Sequence, residues 1–208
     1  MKYELQNIIS GKSQIIHGAT IQTTASYLER SQRTSTVDKE SKFFREQETE
    51  YLREYITANN LWVLDINIEN YVSEGAEQKV YLMDGKSVMK LNDAIFYNSW
   101  VDYLHNLLLN NYFFPDTAYE LLGFYSFDKV VFAVVKQSFV KATEKTDLQI
   151  VKNFMLVNGF TNTRNNDYFN PKLGIILEDL HDENVLTENG ILQFIDTVFY
   201  IKDSFYED

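Results

Sequence analysis

Asp179, Asn184 and Asp196 follow one another near the end of the 208-residue chain, and their types could serve one reaction. The apolar run Gly174-Ile175-Ile176-Leu177 reads as a short strand that delivers Asp179. Val185-Leu186, a turn at Thr187 to Gly190 and a second apolar run ending in Phe194-Ile195-Asp196 read as a hairpin. Two carboxylates and an amide thus reach the ends of neighbouring short strands. Phosphoryl transfer uses such a set: one carboxylate beside the attacking hydroxyl, an amide and a second carboxylate on the metal that bridges the phosphates. The bland alternative is an acidic hairpin turn over ordinary core strands. The Ile-Asp pair at this distance downstream of the loop favours the chemistry over that alternative, since a motif counts only in its structural context.

At these residues the chain resembles the protein-kinase-like superfamily. Asp179-Leu180-His181-Asp182-Glu183-Asn184 matches the D-L-H-x-x-N catalytic loop of aminoglycoside and choline phosphotransferases, and Phe194-Ile195-Asp196 is similar to the second metal motif of small-molecule kinases. Two positions depart from the pattern: Leu177 stands where a His usually precedes the loop Asp, and no Gly follows Asp196. The strings Glu77 to Leu82, Phe114 to Tyr119, Asn158-Gly159-Phe160 and Asp179 to Leu186 look like the kinase domains of phage-type polyvalent proteins, a resemblance that covers about Glu40 to Asp203.

The resemblance implies an α+β, compact protein-kinase-like fold. An antiparallel N-lobe sheet with one packed helix would occupy about 61–137 and a minimal C-lobe about 141–208. Residues 40–208 would form the kinase-like domain and 1–39 a helical N-terminal extension, although Met1 to Lys39 could also be short strands. It implies Asp179 at the acceptor hydroxyl, Asn184 and Asp196 on Mg2+, and Lys90 of Val88-Met89-Lys90 on the phosphates of ATP. Gly75, Glu77 and Gln78 would lie in the polar loop over the phosphates. Gln137 and Val140 would bound the hinge that reads adenine through backbone groups. His181 could touch a phosphate; His17 and His105 read as structural.

The elements that must carry these residues follow from periodicity and caps. Thr36 to Asn60 reads as a helix, capped by Ser35 or Thr36, with Asp38 and Glu40 at the positive end of its dipole. Phe44, Tyr51, Leu52 and Tyr55 share one face with Glu48, which is either a rim residue or has a buried partner. Its other charged residues, Arg45 and Arg53 among them, read as a solvated face. Leu61 to Leu91 reads as a meander of three strands: Leu61 to Leu64 with Tyr71-Val72, then Lys79 to Met83, then Ser87 to Leu91. Asp84-Gly85 marks a tight hairpin. Asp93 to Asn110 reads as a helix with an apolar face. Glu is absent between Glu77 and Glu120, so the carboxylate partner of Lys90 could be Asp102, could come from the upstream Glu-rich helix, or could be lacking. Tyr119 to Tyr125 and Lys129 to Gln137 read as an antiparallel pair, Thr146 to Asn158 as a helix, and Thr161 to Lys172 as a polar connection that could wall an acceptor. Ser10-Gly11-Lys12-Ser13 resembles the tail of a phosphate loop, but Gln6 stands where the first Gly is needed.

Composition limits the function classes. A hydrophobic content of 45% with 15% aromatic supports a real core. The formal net charge of -11 argues against binding nucleic-acid backbone, and the lack of cysteine excludes disulfides and thiolate metal sites. Met1 to Ser10 holds no long apolar core, so neither a signal peptide nor a membrane partner is expected, and a cytoplasmic location is. Two functional readings remain: a Mg-ATP phosphotransferase acting on an unknown small molecule or protein, and a pseudokinase or nucleotide-binding interaction module of a mobile element.

Overall fold

The computed structural model describes residues 1–34, 43–75 and 78–207. Its helices are α1 (Lys2–Ile9), α2 (Gly18–Thr34), α3 (Phe44–Ala58), α4 (Trp100–Phe113) and α5 (Leu148–Val157). A first antiparallel sheet holds β1 (Tyr71–Glu74), β2 (Gln78–Leu82), β3 (Ser87–Asn92), β4 (Glu120–Phe127) and β5 (Val130–Ser138) in the order β1-β2-β3-β5-β4. A second holds β6 (Thr161–Arg164), β7 (Asp167–Asn170), β8 (Ile175–Glu178) and β11 (Val198–Ile201) in the order β11-β8-β7-β6, and β9 (Val185–Glu188) pairs with β10 (Ile191–Phe194) as a hairpin. The fold is α+β with antiparallel sheets and α4 packed on the first of them, as expected.

β3 is buried along its whole length, so both faces must be apolar or paired. Met89 and Leu91 join Ile66, Tyr81 and Val134 in a small outer core. Val88, Lys90 and Asn92 alternate onto the opposite face, which β5 continues with Val135 and Gln137. That inner face meets α4. The main core runs on from α4 (Leu104, Leu107, Leu108) into α1 and α2 through Leu5, Ile8, Ile21 and Leu28, so the N-terminal residues are helices that share one apolar cluster with the sheet.

Several expectations need correction. Leu61 to Leu64 forms no strand; it makes a single bridge, Trp62 to Phe124, beside the β4 bulge. Gly123 permits that approach, since a Cβ there would lie 2.4 Å from the Leu61 carbonyl oxygen. α4 starts at Trp100, seven residues after Asp93. The Asn92 and Asp93 side chains accept from the Ala94 and Ile95 N–H groups, and Ala94 has a positive φ of 56°, so the chain turns there before Ser99 caps the helix. Thr161 to Lys172 contains the β6–β7 hairpin. Its strands are four residues each; β6 is polar and largely exposed, and β7 alternates in burial, but with Asn170 buried beside Tyr168 the alternation is not one of apolar and polar residues. α3 begins at Phe44; its expected caps Ser35, Thr36, Asp38 and Glu40 lie outside the described residues. Arg45 and Arg53 are not merely solvated: they bond the carbonyls of Tyr97 and Asp93, and of Lys129. Among the described residues no helix is long and apolar enough to cross a membrane.

Glu48 has a buried partner: it caps another helix. Its side chain is 1% exposed and accepts from the N–H groups of Trp100 (2.7 Å) and Val101 (3.2 Å) at the start of α4, and from Gln32 Nε2 (2.8 Å). Burial pushes its pKa up to about 7, against the two backbone N–H groups that favour the charged form. A raised folded pKa means that native Glu48 still holds a proton the unfolded chain has released. Its contribution is therefore full below about pH 4.5 and lost as pH rises through about 7. The difference in unfolding free energy between wild type and Glu48→Gln should shrink across that window by something on the order of 3 kcal/mol. Denaturant titrations of both proteins at several pH values check this; a difference that does not move with pH would mean that Glu48 titrates normally.

Candidate active site

A cleft of about 420 Å³ opens between the first sheet and the β9–β10 hairpin. Its upper wall is the inner face of β2 and β3, through Gln78, Val80, Val88 and Lys90, with Gly75 at the β1–β2 loop. Gln137 and Val140 close its back at the end of β5, and Asn184, Leu186 and Asp196 form its floor. Sequence reasoning named Lys90, Gly75, Gln78, Gln137, Val140, Asn184 and Asp196, and the fold brings all of them to this cleft. Glu77 lies outside the described residues.

Asp179 does not line the cleft but is tied to its floor. β8 delivers it with a φ of 68°, in the left-handed region that Asp tolerates, so the chain turns sharply at the strand end. Asn184 Nδ2 donates to both the carbonyl oxygen and Oδ2 of Asp179, each at 2.9 Å. His181 Nδ1 accepts from the Glu183 N–H at 3.2 Å, and Asn184 Nδ2 lies 3.2 Å from its Nε2. That nitrogen lies 3.2 Å from Asp179 Oδ1. His181 thus sits against both the Asp179 carboxylate and the Asn184 amide, a placement that spacing alone did not suggest. The β6–β7 turn supports the loop from outside: Asp179 N–H donates to Asp167 Oδ1, and Leu180 N–H to the Asn166 carbonyl.

Asn184 and Asp196 are fixed side by side, because the N–H groups of Ile195 (2.9 Å) and Asp196 (3.4 Å) both reach the Asn184 carbonyl. Asn184 Nδ2 faces Asp179 and His181, which leaves Oδ1 as its available atom. Asp196 Oδ2 accepts from Gln78 Nε2. Gln78 thus reaches across the cleft to the Asp196 carboxylate. Among the described residues no three His, Cys, Asp or Glu side chains group as a metal site. An amide oxygen and one carboxylate still suit magnesium, which commonly takes one or two protein carboxylates and fills its shell with phosphate and water.

Lys90 is 4% exposed. Its ammonium donates to the Ile195 carbonyl at 2.7 Å and lies 5.4 Å from the centre of the Tyr119 ring. Burial lowers its pKa from the usual lysine value, and the charge of Asp196 pulls it partly back. Among the described residues Glu48 caps α4, Asp102 faces a separate cavity with Glu29 and Tyr206, and the carboxylate whose charge Lys90 feels is Asp196. Tyr119, whose hydroxyl also donates to the Ile195 carbonyl at 2.9 Å, was missed by sequence reasoning. Gln137 turns its side chain inward, donating to the Thr117 carbonyl at 2.7 Å, so it does more than mark a position at the hinge.

An antiparallel sheet with a lysine on its inner face, one helix packed beneath, an amide and a carboxylate across a cleft and a second carboxylate bonded to that amide define a kinase-like protein. The chain belongs to the family described as Serine/Threonine/Tyrosine Kinase found in polyvalent proteins, whose model matches residues 45–203, well over half of its length. Comparison with curated proteins and with solved structures gave no match.

Proposed function

We propose that the chain is a magnesium- and ATP-dependent phosphotransferase that moves the γ-phosphoryl group of ATP to a hydroxyl. The observation that carries this reading is the convergence of Lys90, Asn184 and Asp196 on one cleft, with Asp179 hydrogen-bonded to Asn184 at its edge. Val80 and Val88 above and Leu186 below form an apolar slot suited to a flat base. Lys90 supplies positive charge to phosphates. Asn184 Oδ1 and Asp196 would hold magnesium, which neutralises charge that develops on the phosphate oxygens. Asp179 takes the proton of the acceptor hydroxyl as its oxygen bonds phosphorus; the bond to the β–γ bridging oxygen breaks and ADP leaves. Burial, with the charges of Asp167 and Asp179, raises the Glu178 pKa, and Asp182 and Glu183 follow in the loop. So much negative charge favours a neutral or cationic acceptor.

A second reading, a nucleotide-binding pseudokinase, is favoured by one observation. Among the described residues Lys90 has no helix carboxylate, and its ammonium is already bonded to the Ile195 carbonyl. Calorimetry with ATP, with and without magnesium, tests what the two readings share. Binding tightened by magnesium by about tenfold or more is expected. A chain that binds no ATP under either condition would be an interaction module with a kinase shape.

A further inference from the structure

α4 is apolar where it meets the sheet, yet it buries Asn106 and Asn110, 3% and 0% exposed, one turn apart. A buried amide is costly unless its hydrogen bonds are met, and a leucine would fill such a place at less risk. Both are satisfied, and each points at the segment around Asp196. Asn110 Oδ1 accepts from Thr197 Oγ1 at 2.8 Å, and Asn106 Oδ1 from the Phe199 N–H at 2.8 Å. On the other side of Asp196, Thr117 Oγ1 donates to the Phe194 carbonyl and Tyr119 Oη to that of Ile195. Asn110 Nδ2 donates to the Thr117 carbonyl at 3.2 Å, joining the two sides. Residues 194, 195, 197 and 199 are thus bonded from the same face, while the Asp196 side chain lines the cleft.

From this frame we infer that Asn110 and Thr117, acting through Thr197 and the Phe194 carbonyl, are positioning residues that aim the Asp196 carboxylate at magnesium. The inference rests on the magnesium–nucleotide reading above. It also accounts for the residue after Asp196. A glycine there would leave the backbone free to swing; Thr197 is 1% exposed and its hydroxyl is committed to α4. The metal carboxylate is held ready by the helix.

The test is magnesium titration of the full chain with a non-hydrolysable ATP analogue, alongside analogue binding in chelator and a melting curve. Thr197→Val removes only the hydroxyl. It should raise the magnesium needed for half-maximal binding about tenfold or more, since groups that orient a metal ligand typically matter by about 10–100-fold. Binding in chelator should stay at the wild-type value, and Thr197→Ser should restore the magnesium response. If Thr197→Val does not fold, Thr117→Val carries the same test from the other side of Asp196. A wild-type magnesium response in the valine variants, or a parallel loss of binding with and without metal, would make the frame ordinary core and overturn the inference alone. A wild-type chain that binds the analogue indifferently to magnesium overturns the reading beneath it as well.

Discussion

Asp179→Asn should bind Mg-ATP like the wild type and transfer or hydrolyse its γ-phosphate about 10²–10⁴-fold more slowly, the usual worth of general-base help. The substitution keeps size and removes the charge that accepts a proton. Asp179 lies outside the cleft lining, so nucleotide contacts should be untouched, and its carboxylate is half-exposed. An Asn can still accept from Asn184 Nδ2, which keeps the loop in place. The assay follows labelled γ-phosphate, released or transferred, with cell extract as the source of acceptor. Wild type that binds ATP but labels nothing in any extract would favour the pseudokinase. A variant as fast as wild type would remove Asp179 from the chemistry.

Asp196→Asn should abolish the magnesium dependence of nucleotide binding, lowering affinity in magnesium by about 100-fold or more, because the metal loses the carboxylate whose charge dominates the site. The amide preserves shape, and its oxygen can still accept from Gln78 Nε2. The variant also removes the Asp196 charge that stabilises the buried Lys90 ammonium, so the Lys90 pKa should fall further. Calorimetry in magnesium and in chelator separates the two effects: the metal term vanishes only in the first, while a weaker Lys90 shows in both. Equal affinity of wild type and variant in magnesium would take Asp196 out of the site.

How far the sequence alone reached depended on how local each feature is. The run from Ile175 to Asp196 was legible because strand, tight turn and strand are neighbours in the chain. Asn189 and Gly190, with φ of 51° and 78°, form the expected turn, and the spacing of Asp179 and Asn184 sets their hydrogen bonds directly. β3 was legible from its apolar run, and with it the placement of Lys90. The family resemblance rested on these same short strings.

Tertiary structure decided what holds those residues. Lys90 rests on the carbonyl of Ile195, 105 residues away, and a carbonyl leaves no mark in a residue's identity. Glu48 caps a helix 52 residues downstream, a role that looks from sequence like any carboxylate on an apolar stripe. The β6–β7 hairpin is held in its sheet by the pairing of β7 with β8, a partner distant enough in the chain to leave no local mark. Asn106 and Asn110 read as two polar interruptions of an apolar helix until Thr197 and Phe199 are seen against them. The chemistry-bearing side chains and their local turns were written in the order of residues. Their partners are backbone groups and distant side chains, whose hydrogen bonds exist only once the chain has brought them within reach and excluded water.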